Sequence, residues 1–142
     1  MRSSRTRGCF VALCLVAACG APSFPVTLTA SPAAGPADAI ECARKQLAPL
    51  GYRQTAYNDQ ELRVLARKPD TKATRSNPQF RRNIDQLEIT AVPGADGKTA
   101  LTVVGRTFAE LETHRGPTEE EERASAGVKE SAQAILDACG QS

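Results

Sequence analysis

The 142-residue chain has no Trp, one His and one Met, and its aromatic residues are two Tyr and four Phe. So few flat rings argue against a stacking platform for single-stranded nucleic acid or sugar. One His cannot build a three- or four-ligand zinc site without Cys or carboxylate help at suitable spacing. Charge of one sign is scarce as well. Lys and Arg number 18 against 16 for Asp and Glu, a net +2, too little for an electrostatic nucleic-acid binder. The apolar run Cys9 to Cys19 falls short of the roughly 20 residues a spanning helix needs. No phosphate-cradling Gly loop, Gly-x-Ser-x-Gly elbow or Cys-x-x-Cys pair occurs. Hydrophobic residues at 41% and charged residues at 24% nevertheless exclude wholesale disorder, and the length suits one domain.

The N-terminus reads as an address. Arg2, Arg5 and Arg7 precede an apolar stretch from Gly8 to Ala18, followed by small residues, which is the layout of a secretory signal. Its end, Leu15-Val16-Ala17-Ala18-Cys19, resembles the lipobox of bacterial lipoproteins. An aliphatic residue, two small residues and a Cys stand in the order of that motif. The resemblance implies removal of residues 1–18, acylation of Cys19 and anchoring to a membrane facing the periplasm or exterior. Leu13 before Cys14 is not small, and Cys9 lacks an apolar stretch before it. A soluble secreted protein cut after Ala18 or Gly20 is the competing reading. Losing Arg2, Arg5 and Arg7 leaves 15 basic against 16 acidic residues, so the mature charge is −1.

Residues 19–35 read as a lipid-anchored, uncharged linker stiffened by Pro22, Pro25 and Pro32. An edge strand over Pro25 to Thr29 is the alternative. The domain then spans residues 36–142. Pro36 to Leu47 predicts a helix with Ala39, Ile40, Ala43 and Leu47 on one face. Strand patterns follow at Gly51–Tyr57, Glu61–Lys68, Ile84–Val92 and Thr99–Phe108, with a turn at Pro93–Gly97. Inward positions include Leu62, Val64, Ala66, Leu87, Ile89 and Ala91. A second helix is expected from Pro117, with Thr118 and Glu121 as a capping box and Gly140 as its stop. Its buried stripe would be Ala124, Val128, Ala132, Ile135 and Cys139. The expected fold is two-layer α+β: a four-stranded antiparallel sheet with two helices on one face, in the order α-β-β-β-β-α.

Setting aside Cys9, Cys14 and Cys19 leaves Cys42 and Cys139. Both lie on predicted helices, and two helices packed side by side would bring them together as a disulfide in an oxidising compartment. Two buried thiols acting as small hydrophobes is the alternative. The long link Lys68 to Arg82 is basic, and Arg75, Phe80, Arg81 and Arg82 are candidate contacts to an anion or a partner. A flexible hairpin whose charges keep a sheet edge soluble is the plainer account. His114 reads as a loop residue, the Glu119–Glu122 run as a solvated helix start, and Asp59, Asp85 and Asp96 as ordinary turn or strand-start residues.

No catalytic residue, metal ligand or cofactor site is legible. The domain pattern resembles small two-layer α+β modules of envelope lipoproteins, including the helix-grip domains of outer-membrane assembly factors, without a diagnostic motif. These features favour a non-enzymatic, membrane-anchored module that engages an envelope protein and no nucleic acid. The alternative is a periplasmic sensor for a small ligand or anionic lipid.

Overall fold

A computed structural model describes residues 24–141. The lipobox and Cys19 therefore lie outside the described residues. The elements are β1 (Val26–Ala30), α1 (Pro36–Leu47), β2 (Arg53–Asn58), β3 (Arg63–Asp70), β4 (Phe80–Pro93), β5 (Thr99–Thr113), β6 (Gly116–Glu122) and α2 (Ala126–Cys139). All strand pairs are antiparallel, in the order β1-β5-β4-β3-β2, and β6 also pairs with β5. β4 runs along one side of β5. On the other side, β1 pairs with Leu101–Gly105 and β6 with Thr107–Thr113, so the two short strands lie end to end.

The α+β class holds, with a sheet of six strands in place of four. One added strand is β1. Its alternating Val26, Leu28 and Ala30 are half-buried against the core, so the linker reading fails over these residues and the edge-strand alternative holds. The other is β6, where a helix was expected. Pro117 sits at an edge where its missing N–H costs no ladder bond, and Gly116 takes φ +107 in the hairpin turn. Residues Glu119, Glu121 and Glu122 face arginines across the sheet, so they serve as strand partners and do not open a helix. The second helix starts at Ala126, capped by Ser125, whose Oγ accepts the Val128 N–H at 3.0 Å.

The first helix matches its expected bounds. Pro36 occupies the first turn, and Gly51 at φ +83 lets the chain turn back after Leu47. Ala39, Ile40, Ala43 and Leu47 are all buried. They meet Val64 and Ala66 of β3, Leu87, Ile89 and Ala91 of β4, Leu101 and Val103 of β5, and Val128, Ala132 and Ile135 of α2. The sheet residues alternate, so both helices pack on one face and leave the other to solvent. Leu62, at φ +45 in the turn before β3, is only partly buried.

Close approach of α2 to the sheet depends on Gly105. A Cβ there would stand 2.9 Å from Val26 Cγ1 and 3.0 Å from Val128 Cγ2. The two helices are joined by a disulfide between Cys42 and Cys139, with Cα atoms 5.8 Å apart across 97 positions of sequence. Among the described residues no helix is long and apolar enough to cross a membrane.

Candidate functional site

Element lengths create the geometry. At about 1.5 Å per helical residue, the 14-residue α2 spans roughly 21 Å, whereas the 15-residue β5 extends roughly 50 Å. Strands β4, β5 and β6 therefore run on beyond the start of α2 as a projecting arm. The basic link joins β3 to this arm. Because β3 continues to Asp70 and β4 begins at Phe80, its irregular part is residues 71–79, shorter than the sequence pattern implies.

The candidate contacts in this region are already occupied. Arg75 forms a bidentate pair with Glu122, donates to Asn83 Oδ1 at 3.0 Å, and lies 4.6 Å from the Phe80 ring centroid. Arg82 pairs with Glu110 at 3.0 Å and Arg81 with Glu112 at 3.4 Å. The Arg75 guanidinium holds the Glu122 carboxyl below the usual carboxylate range, chiefly through their hydrogen bonds. Arg63–Glu88, Arg67–Glu119 and Arg106–Glu121 are further interstrand ion pairs. Within the basic link, Glu122 of β6 takes Arg75, and Glu112 and Glu110 of β5 take Arg81 and Arg82. The three arginines are therefore paired internally and not offered free to an anion; Arg75 staples the link to β6.

A second region was not singled out by sequence. Where α2 begins, a pocket of about 430 Å³ opens on the helix-bearing face, lined by Lys68, Asp70, Lys72, Asn83, Asp85 and Gly127 among others. Asp85 is only 8% exposed, which corrects its reading as an ordinary strand-start residue. It stands beside Lys68 on β3 and Thr107 on β5 in one cross-strand row. Two relays end on its carboxylate. The Ser125 N–H donates to Thr107 Oγ1 at 2.9 Å, and that hydroxyl donates to Asp85 Oδ1 at 2.6 Å. The Val128 N–H donates to Ser125 Oγ, whose hydroxyl lies 2.9 Å from both Asp85 oxygens. A carboxylate at the start of a helix is favoured by the axial dipole and by the unpaired end amides. Asp85 therefore fixes where α2 starts on the sheet.

Deeper along this face lies Tyr52, 4% exposed, with no hydrogen-bond partner of good geometry at its hydroxyl. Burial pushes its phenol up to about 12; an interaction with Ser131 opposes the shift and the Asp85 charge adds to it. Lys68 runs over the Tyr52 ring, with Nζ 5.5 Å from its centroid, and donates to the Leu50 carbonyl at 3.0 Å.

Among the described residues no group of three or more His, Cys, Asp and Glu is arranged to hold a metal. His114 is exposed in the turn between β5 and β6. No known protein family and no curated protein matches this chain.

Proposed function

We propose that the chain is a bacterial envelope lipoprotein: a Cys19-acylated, exported module that binds and does not catalyse. What supports the anchor is the lipobox sequence together with the fate of the remaining cysteines. Export and acylation leave Cys42 and Cys139, and these two are the bonded pair. A disulfide suits an oxidising compartment. Mass spectrometry of the protein taken from its own membrane tests this. The expected product begins at Cys19 and carries diacylglyceryl and N-acyl groups. An unprocessed Met1 or an unmodified Cys19 overturns it.

For the binding role, the supporting observation is β2, an edge strand whose six residues are all exposed. Unpaired edge amides and carbonyls are a template for an added strand from a partner. Crosslinking in the native membrane with probes placed on β2 is expected to capture one recurrent envelope protein. Absence of any specific crosslink overturns the protein-interaction reading.

A second reading has its own support. The pocket at the start of α2 exceeds about 300 Å³ and gathers several polar groups, as small-ligand sites do. In this reading the anchored domain captures a small polar molecule outside the cytoplasm.

A further inference from the structure

We infer that the pocket at the start of α2 is a site for a small zwitterion, an α-amino acid or dipeptide, whose ammonium is received by Asp85 and whose carboxylate by Lys72. The inference rests on the second, small-ligand reading above and names the ligand class. It does not depend on how the chain is anchored.

The buried end of the site is a carboxylate with no cationic side chain paired to it. Among the described residues Asp85 has no Lys, Arg or His in an ion pair, although it is more than nine-tenths buried. Its hydrogen bonds come from two hydroxyls, and the single Ser125 proton is shared between Oδ1 and Oδ2. A carboxylate offers about four acceptor positions, so Oδ2 retains capacity. Position 127 keeps the approach to that oxygen clear. A Cβ added to Gly127 would meet Oδ2 at 3.5 Å and Ser125 Oγ at 3.7 Å, in ordinary contact beside the acceptor.

Opposite charge lies across the same pocket. Lys68 on its wall is held by the Leu50 carbonyl and the Tyr52 ring, so it does not turn to neutralise Asp85. Lys72 is exposed; its backbone N–H donates to Asp70 Oδ1, and its ammonium forms no ion pair among the described residues. An acceptor at the buried end and, at the rim, the Lys72 cation beside Asp70 form a slot of mixed charge. A ligand of one sign would meet one of them as a like charge, whereas a zwitterion satisfies both. A volume of about 430 Å³ accommodates molecules of this size with water beside them.

The test is an NMR titration of the full chain in detergent, following the amides of Lys72, Asp85, Ser125 and Gly127. Probes are L-alanine, L-leucine and L-alanyl-L-alanine, with N-acetyl-L-alanine and L-alaninamide as single-charge controls. Saturable shifts of these amides by at least one zwitterion, with at least tenfold weaker binding of both controls, is the expected result. The free amino acids against the dipeptide distinguish the two ligand sources. Gly127→Ala adds helix propensity and places a methyl beside Oδ2, so it should fold and still weaken binding at least tenfold; Lys72→Ala should do the same. No saturable shift up to about 10 mM, or equal binding of N-acetyl-L-alanine, overturns the assignment. Because this titration does not read acylation, its failure would leave the anchor to be judged by mass spectrometry alone.

Discussion

Cys42 and Cys139, 97 positions apart, are bonded across the α1–α2 contact with their Cα atoms 5.8 Å from one another. The bond joins nearly the whole domain into one loop. Chain entropy assigns such a closure at most about 4.7 kcal/mol, and removing native disulfides from small exported domains typically costs about 2–5 kcal/mol. Guanidinium denaturation of the oxidised protein and of a Cys42→Ala/Cys139→Ala variant should differ by that order. Two free thiols in the unreduced protein would remove the bond from the account.

Gly105 governs how closely α2 and β1 approach β5. Replacing Gly by Ala within a strand ordinarily stabilises it, because the unfolded chain loses freedom. Here the added methyl would lie 2.9 Å from Val26 and 3.0 Å from Val128. Overpacking of this kind costs about 1–3 kcal/mol, more than the entropic gain. Gly105→Ala should therefore lower the denaturation midpoint with an unchanged slope. A raised midpoint would show that this contact has room to spare.

The Arg75–Glu122 pair ties the 71–79 link to β6 and depends on pH. The folded-state pKa of Glu122 is depressed, so its contribution is present above the ordinary glutamate value of about 4.3. It is lost as pH falls through the depressed value. Both side chains are about one-third exposed, so the energetic effect is small and the structural one is the better readout. Carboxyl NMR titration of Glu122 should give a midpoint below the ordinary value, with amide protection of residues 71–79 falling over the same range. In Arg75→Ala the midpoint should return toward the ordinary value. An unshifted Glu122 midpoint in the parent protein refutes the staple.

How far this fold is legible in sequence depends on where each residue's decisive contacts lie. The helix over Pro36–Leu47 and the inward faces of β3 and β4 follow from local periodicity, because one continuous core receives them. The Glu119–Glu122 run misleads for a physical reason. Four acids after a Pro have the composition of a helix start, but Arg67, Arg106 and Arg75 are supplied by β3, β5 and the 71–79 link. Pairing across the sheet outweighs the local preference. Asp85 is hidden in the same way: its burial and its hydroxyl donors come from β5 and from the cap of α2. The only local signal was a carboxylate at an inward-facing position of its strand, next to Leu87 in the alternation. The loop candidates Arg75, Phe80, Arg81 and Arg82 lie in the link and at the start of β4, yet the charges of the three arginines are spent internally.

Tyr52 gives the alkaline counterpart. An unfolded tyrosine ionises near 10, whereas burial holds this phenol up to about 12. The folded state thus favours the protonated form. Its contribution is complete below about pH 10 and is lost as pH rises from there through the folded value. Two pKa units correspond to an order of 2–3 kcal/mol, appropriate for a side chain only 4% exposed. The parent protein should therefore lose stability between about pH 10 and 12 more steeply than Tyr52→Phe, which has no phenol to ionise. Titrations of groups distant from position 52 are common to both proteins and cancel in the comparison. Parallel pH profiles for the two proteins would place Tyr52 within reach of water. The packing of Lys68 over this ring would then have to be redrawn.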